Sequence, residues 1–192
     1  MDYIEITGAL VGLVYLYFEY KASIYLWVAS IVMPLIYIYV FYKAGLYADM
    51  GINIYYLLAG FYGFMLWLLK KETTVERSIT TLPKQLIAPL VAIACIVFAV
   101  MAWILIQFTD STVPYSDAAI TALSVIGMWM LAKKYLEQWL VWIVVDIACC
   151  FLFIYKELYP TTALYALYTV IAIFGYRKWK TMLQHTPQTD SI

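Results

Sequence analysis

Two tryptophans and an aspartate at helical spacing are the residues of this chain best placed to do chemistry. Trp139, Trp142 and Asp146 lie in the apolar run that ends at Ile154. Because residues i, i+3 and i+7 project from one side of a helix, the two indole rings and the carboxyl share a face. A charge at mid-bilayer depth costs about 2.5–3.5 kcal/mol, and such residues usually face a cavity or a permeation path. The spacing therefore predicts a ligand-binding wall.

The chemistry of this face suits a flat, positively charged ring. Two indoles provide a stacking surface, with a cation–π attraction of about 0.5–2 kcal/mol that depends on desolvation. Asp146 adds a counter-charge, or a hydrogen-bond acceptor for an amino group. Two alternatives stay open. In one, the tryptophans, Trp139 above all, belong to an interfacial aromatic belt. In the other, Asp146 pairs with a hydroxyl or backbone group of a neighbouring helix.

Further candidate substrate contacts come from two other apolar runs. Asn53 and Tyr56 are three residues apart and share a helix face. The Asn53 amide suits a hydroxyl or ring nitrogen of a solute, although helix capping or an interhelical hydrogen bond explains it equally well. Tyr37 is also a candidate substrate contact, whereas most tyrosines near the ends of the runs are expected in the interfacial aromatic belt. Pro34 predicts a kink that serves either as a hinge or as a static bend.

The composition places these residues in a membrane. The chain is 66% hydrophobic and 12% charged over 192 residues, whereas soluble domains carry about 25% charged residues. Its apolar residues fall into seven runs, and a helix of about 20 residues crosses the hydrocarbon core. The sequence predicts an all-α membrane protein with seven transmembrane helices. The runs are approximately Ile4–Phe18, Ile24–Tyr42, Ile52–Leu69, Leu86–Phe108, Ala118–Ala132, Leu136–Tyr155 and Ala163–Tyr176.

The basic residues predict the orientation of the chain. With seven spans, ten of the twelve Lys and Arg residues fall on one side of the membrane, and only Lys43 and Lys156 fall on the other. Short cytoplasmic loops accumulate basic residues, so we expect the N-terminus outside and the C-terminus in the cytoplasm. A multi-pass membrane protein is predicted. The net charge of zero argues against a nucleic-acid partner.

Catalytic and metal-binding groups are sparse. Cys95, Cys149 and Cys150 lie in apolar runs and are expected to pack as small hydrophobic residues. The single histidine, His185, lies in the polar tail Gln184–Ile192, which we expect to be disordered. The spans hold no Ser/His/Asp arrangement, no paired carboxylates and no phosphate-binding glycine loop. We therefore expect neither enzymatic activity nor a cofactor or metal.

An internal repeat connects the third and seventh runs. Pairs of identical residues are separated by 112 positions: Tyr56 and Tyr168, Gly63 and Gly175, and Trp67 and Trp179. Both copies begin a helix outside and end it inside, which predicts two parallel three-helix repeats, an architecture known among transporters. The predicted organisation is a first repeat at 1–72, a linking loop and fourth helix at 73–112, a second repeat at 113–182 and a disordered cytoplasmic tail at 183–192.

Several segments together resemble the PnuC family of bacterial vitamin transporters. The resemblance implies a seven-helix, three-plus-one-plus-three fold related to the SWEET sugar transporters, and a homotrimer. It also implies facilitated diffusion of a vitamin, made one-way by a cytoplasmic kinase that phosphorylates it. The segments are Tyr37 to Asp49, the Tyr62-Gly63-x-x-x-Trp67 pattern, the Glu137-x-Trp139-x-x-Trp142 stretch, and the ending from Leu164-Tyr165 to Gly175 and Trp179.

One position within this resemblance bears on the vitamin. In the nicotinamide riboside branch, the residue four after the second tryptophan is usually Asn, and here it is Asp146. An ionised carboxylate only accepts hydrogen bonds, which suits the aminopyrimidine and thiazolium groups of thiamine. The expected function is thiamine uptake, as in the PnuT branch, with nicotinamide riboside or another nucleoside-like vitamin as the alternative. A proton-coupled variant, a non-transporting membrane scaffold and an intramembrane enzyme are the remaining hypotheses.

Overall fold

The chain folds into seven α-helices within the part that the computed structural model describes, residues 3–44, 47–69 and 78–185. Their number and order match the seven predicted apolar runs. The basic cluster at 70–77, the predicted repeat boundary at 72 and the tail 186–192 lie outside the described residues. The helices are α1 Tyr3–Tyr20, α2 Leu26–Ala44, α3 Tyr47–Leu69, α4 Ile87–Phe108, α5 Pro114–Ala132, α6 Gln138–Tyr155 and α7 Tyr159–His185.

Several helices extend beyond their apolar runs. Helix α5 begins at Pro114, since proline is favoured in the first turn of a helix. Helix α7 continues nine residues past Tyr176, through the basic residues that end its apolar run, to His185. Residues 183–185 are therefore helical, and the prediction that the disordered tail begins at 183 is wrong for them.

The apolar helices have the lengths that a bilayer requires. Within the described residues, three helical stretches are long and apolar enough to cross a membrane, namely Lys84–Phe108, Pro114–Ala132 and Gln138–Tyr155. Two shorter apolar stretches, Leu26–Tyr39 and Asn53–Leu69, accompany them. On α4, the large apolar side chain of Trp103 is 57% exposed. Such an outward apolar surface fits contact with lipid.

The helices pack in a pattern that repeats along the chain. Helix α2 packs along α3, and α6 packs along α7. Contacts between the two ends of the chain join α3 to α5 and α1 to α7. Helix α4 packs against α5, with which it is connected by a short loop. The first and last helices of the chain are thereby brought together around a common interior.

The turns that follow α1 and α5 have the same backbone conformation. Ala22 and Lys134, 112 residues apart, both adopt positive φ angles, 50° and 54°. The Ala22 N–H donates to the Glu19 carbonyl at 2.8 Å, and the Lys134 N–H donates to the Leu131 carbonyl at 2.9 Å. A left-handed residue with this hydrogen bond is a common helix C-terminal cap. The offset of 112 therefore holds for backbone geometry as well as for side-chain identities.

Four buried tryptophans form two edge-to-face pairs at the same offset. Trp27 and Trp67 have ring centroids 5.5 Å apart at an interplanar angle of 84°. Trp139 and Trp179 have centroids 5.6 Å apart at 89°. Such aromatic pairs add about 0.5–1.5 kcal/mol beyond the burial of their area. Trp27 and Trp139 are also 112 residues apart in the sequence. The structure shows that each packs against a second tryptophan, Trp67 or Trp179.

Two glycines make room for these rings. A Cβ atom at Gly63 of α3 would overlap the Trp27 ring, and one at Gly175 of α7 would lie 2.6 Å from the Trp139 ring. Both distances are shorter than real Cβ contacts, so each helix approaches its tryptophan only because the residue is glycine. The repeated Gly and Trp identities thus mark two matching helix contacts.

Two indole N–H groups, one on α3 and one on α7, form hydrogen bonds between helices that are distant in the chain. Trp67 Nε1 donates to the Ala132 carbonyl at the end of α5, at 3.0 Å. Trp179 Nε1 donates to the Glu19 carbonyl at the end of α1, at 3.2 Å. Each bond goes to a carbonyl in the last turn of a helix, where carbonyls have no donor within the helix itself. These two contacts hold α3 on α5 and α7 on α1.

Candidate functional site

An internal cavity of about 470 Å³ lies between α2 and α6, with further walls from α1, α3, α5 and α7. This volume is in the range of small-molecule sites, about 300–1,000 Å³. The structure brings all six predicted contact residues to its wall, although they come from three separate helices. They are Tyr37 in α2, Asn53 and Tyr56 in α3, and Trp139, Trp142 and Asp146 in α6.

The α6 wall carries the two indoles. Trp139 is fully buried, and its edge-to-face contact with Trp179 places it inside the protein rather than in an interfacial belt. Trp142 packs against α5, where a Cβ at Gly127 would lie 3.2 Å from its ring. The Nε1 atoms of Trp139 and Trp142 are buried and have no hydrogen-bond partner in the part of the chain that the structure describes. Two donors are thus left for another molecule.

Asp146 lies seven residues beyond Trp139 on the same wall and is 7% exposed. The alternative that it pairs with a hydroxyl or backbone group of a neighbouring helix finds no support, because no hydrogen bond or ion pair to its carboxyl occurs within the described residues. A buried carboxyl without a protein partner is costly. Because Asp146 lies on the cavity wall, a molecule bound in the cavity would be its partner.

The α2 wall corresponds to the α6 wall at the offset of 112. Ser30 corresponds to Trp142 and Pro34 to Asp146, and all four line the cavity. Helix α2 continues through Pro34, which lacks the N–H that would bond the Ser30 carbonyl. Gly60 of α3 lies close to that carbonyl, which a Cβ at Gly60 would approach to 2.9 Å. The aromatic and charged groups therefore lie on α6, while the matching face of α2 is smaller.

The remaining predicted contacts lie toward the opposite end from the tryptophan pairs. Tyr37 is ten residues beyond Trp27 in α2, which places it about 15 Å along that helix. Asn53 and Tyr56 lie in the first half of α3, well before Trp67. These polar side chains would contact the part of a ligand farthest from the tryptophan pairs.

Glu19 is a cavity residue that the sequence patterns do not reveal. It follows the predicted first run, which ends at Phe18, but α1 extends to Tyr20 and includes it. Its side chain is 1% exposed and lines the same cavity as Asp146. The cavity wall therefore carries a second carboxyl that was not predicted from the sequence. Other lining residues absent from the predicted set include Tyr15, Ser124, Cys149, Tyr165 and Tyr168.

Among the described residues, the cavity wall carries acidic side chains and no basic ones. Glu19 and Asp146 are its two ionisable acids, and no Lys, Arg or His occurs among the described residues that line it. Three or more potential metal ligands are nowhere grouped within the described part of the chain. Two indole rings and two carboxyls are suited to a cationic aromatic ligand that carries hydrogen-bond donors.

Apolar helices of spanning length around a ligand-sized cavity are typical of an integral membrane transporter, which is the class of this protein. A family model described as "Nicotinamide mononucleotide transporter" matches residues 2–181. The chain belongs to this family. The resemblance to PnuC proteins is therefore confirmed for the family as a whole.

Individual relatives and a solved structure agree with this assignment. The chain is 22% identical over 204 residues to the nicotinamide riboside transporter PnuC of Escherichia coli (strain K12), covering 93% of this chain and 85% of that protein. The PnuC protein of Shigella flexneri matches with the same identity and coverage. A crystal structure titled "Crystal structure of the Vitamin B3 transporter PnuC" matches with a TM-score of 0.71 at 23% identity, over 93% of this chain and 81% of that chain. The two curated relatives are named as nicotinamide riboside transporters.

Proposed function

We propose that this protein binds nicotinamide riboside in the cavity between α2 and α6 and carries it across a bacterial cytoplasmic membrane. The observation that carries the proposal is the α6 wall, where Trp139, Trp142 and Asp146 line one cavity. The pyridinium ring of the riboside is flat and positively charged, so it suits stacking on an indole and a nearby counter-charge. The names of the relatives support the same substrate.

The charge of the wall favours the nucleoside over its phosphorylated form. A phosphate carries about −1.5 to −2 charges at neutral pH, and the wall offers two carboxyls and no basic group within the described residues. Like charges in a poorly solvated cavity repel strongly, because the effective dielectric constant is low. We therefore propose that the mononucleotide is rejected, and that phosphorylation by a cytoplasmic kinase retains the imported vitamin.

The same proposal includes the architecture and mode of transport. Matching turns, tryptophan pairs and glycines at the offset of 112 support a three-plus-one-plus-three division, with repeats at 1–72 and 113–182 and the link at 73–112. A SWEET-like arrangement, a homotrimer and facilitated diffusion follow from the resemblance. The positive-inside asymmetry supports an outer N-terminus and a cytoplasmic C-terminus.

Thiamine is the second candidate, and one observation favours it. Asp146 offers two acceptor oxygens and no partner for them within the described residues. A protonated aminopyrimidine would donate to such a carboxylate, whereas the carboxamide of nicotinamide riboside can use its NH₂ group only. Because both vitamins carry a cationic ring, the cavity charge does not separate them, and a direct comparison of binding is required.

The test is a ligand panel on the purified full-length protein. Isothermal titration calorimetry would compare nicotinamide riboside, thiamine and nicotinamide mononucleotide, and uptake of the bound vitamin would then be measured in proteoliposomes. We expect saturable binding and uptake of nicotinamide riboside, with at least tenfold weaker binding of the other two. Trp142→Ala should weaken binding by at least tenfold, because it removes one stacking surface in the cavity.

Trp103→Ala is the matched control, since Trp103 lies on the exposed outer face of α4 and not on the cavity wall. It should leave affinity within about twofold of the original protein. Tighter binding of thiamine would transfer the proposal to the second candidate. Binding of none of the three ligands by folded protein would refute the transport proposal and leave the scaffold hypothesis.

A further inference from the structure

We propose that the Glu19 carboxyl is a specificity-determining contact that binds the sugar hydroxyl groups of the transported nucleoside. The inference rests on the function proposed above and adds an orientation for the ligand, with its hydroxyl end at Glu19 and its ring between the indoles and Asp146. Glu19 lines the cavity, is 1% exposed, and its Oε1 atom is buried without a protein hydrogen-bond partner.

The internal repeat shows that the fold does not require an acid here. The residue 112 positions after Glu19 is Leu131, which is fully buried at the corresponding turn of α5. The carbonyls of Glu19 and Leu131 accept the same cap hydrogen bond, so the two backbones are equivalent. The bond from Trp179 also goes to the Glu19 carbonyl and not to its carboxyl. An apolar side chain therefore satisfies the packing at this position.

A second polar residue departs from the repeat beside Glu19. Gln138, the first residue of α6, is fully buried and corresponds to Leu26 in α2, which is also fully buried. The Gln138 amide neighbours the Glu19 carboxyl, and the buried Oε1 atom of Glu19 is without a hydrogen-bond partner within the described residues. Two neighbouring polar groups thus replace two leucines. Buried polar groups are normally hydrogen-bonded, and because Glu19 lines the cavity, a ligand there would supply the partner that its Oε1 atom lacks.

The hydrogen-bond inventory around Glu19 matches a hydroxyl group. A carboxyl oxygen accepts from a hydroxyl, while an indole N–H donates to one. The Nε1 atom of Trp139 is buried, unpartnered and on the same cavity wall. A sugar hydroxyl would complete both groups, because it donates and accepts at once. The carboxamide of the ring also donates and accepts, but we place it beside Asp146, so the sugar is the part that lies at this end.

The length of the cavity supports this orientation. Gln138, beside Glu19, and Asp146 are eight residues apart on α6, which corresponds to about 12 Å along the helix. The carboxyls of Glu19 and Asp146 therefore lie toward different ends of the cavity. Trp142 lies between Gln138 and Asp146 in the sequence of α6. A ligand with a hydroxyl-bearing end and a cationic ring fits this order, with the ring stacked beside Trp142 and its amide near Asp146.

The test compares two ligands on two proteins. Calorimetry on the full-length protein would measure nicotinamide riboside and its 2′,3′-dideoxy analogue with the original chain and with Glu19→Leu, which copies the residue of the other repeat. The original chain should prefer the riboside by about tenfold, since leaving a buried hydrogen-bonding group without its partner costs about 1–3 kcal/mol. In Glu19→Leu the preference should fall to about threefold or less, with the dideoxy analogue bound about as before.

A merely structural role for Glu19 would weaken both ligands equally and leave the preference unchanged, which would overturn the inference. If Glu19→Leu cannot be purified, Glu19→Gln retains the side-chain volume and should still reduce the preference by at least about threefold. An unchanged preference in that variant would also overturn the inference. Failure of the original chain to bind the riboside would refute the proposed function as well, whereas riboside binding with an unchanged preference would refute only the role of Glu19.

Discussion

A substitution at Gly175 should affect ligand binding, whereas the equivalent substitution at Gly63 should affect only stability. In each case a methyl group would be forced against a buried indole, that of Trp139 or of Trp27. Trp139 lines the cavity, and Trp27 does not. The two glycines therefore provide matched perturbations that differ in their distance from the proposed substrate.

The magnitude follows from the contacts. A Cβ at Gly175 would lie 2.6–2.7 Å from three atoms of the Trp139 ring, and overpacking a buried site costs about 1–3 kcal/mol. For a chain of this size such a loss lowers the melting temperature by about 3–10 °C. Gly63→Ala should cost at least as much, because the overlap with Trp27 is closer. Displacement of the Trp139 ring should also weaken riboside binding in Gly175→Ala by about fivefold or more.

Thermal unfolding of the detergent-purified variants, followed by calorimetry with nicotinamide riboside, measures both effects. Gly51→Ala is the control, because Gly51 is exposed on α3 and a Cβ there would meet nothing within 4 Å. It should be neutral or slightly stabilising, since alanine favours a helix over glycine. Unchanged melting temperature and affinity in Gly175→Ala would refute the argument that α7 fixes the position of Trp139.

Three further predictions concern the charge of the cavity, the energetics of transport and the contacts between helices. Asp146→Asn should keep riboside affinity within about threefold and weaken thiamine by about tenfold, whereas Asp110→Asn, outside the cavity, should change neither. A pH gradient across proteoliposomes should not drive accumulation of the riboside, and accumulation would establish proton coupling instead. Trp67→Phe should lower the free energy of unfolding by about 1 kcal/mol, measured by denaturation, through loss of its bond to the Ala132 carbonyl. Equal stability would show that the bond is dispensable.

Much of the fold could be predicted because a bilayer imposes simple rules on a sequence. An apolar run must form a helix in lipid, where each backbone polar group needs a partner within the segment. The seven runs accordingly give seven helices in the expected order. Helix ends were predicted less well, because the apolar run measures burial in lipid and not helical geometry. Helix α7 shows the difference, since it continues through basic residues as far as His185.

The candidate site was predicted where its residues share one helix. Trp139, Trp142 and Asp146 are adjacent on α6, so spacing alone reveals their common face. Glu19 was missed because it follows the apolar part of α1 and resembles an ordinary flanking charge. Its burial results from contacts with helices distant in sequence, including α7, whose Trp179 bonds to its carbonyl. No local pattern contains that information.

The sequence by itself determined that this chain enters a membrane, where its helices run, that its two ends repeat at an offset of 112, and which face of α6 carries chemistry. These properties depend on composition and on the 3.6-residue period of a helix, which are local. Only the tertiary structure decided that α1, α2, α3 and α6 contribute to one cavity, and that Glu19 and Asp146 share its wall. Enclosure depends on how helices pack across the chain, here through Gly63 and Gly175 beneath paired tryptophans.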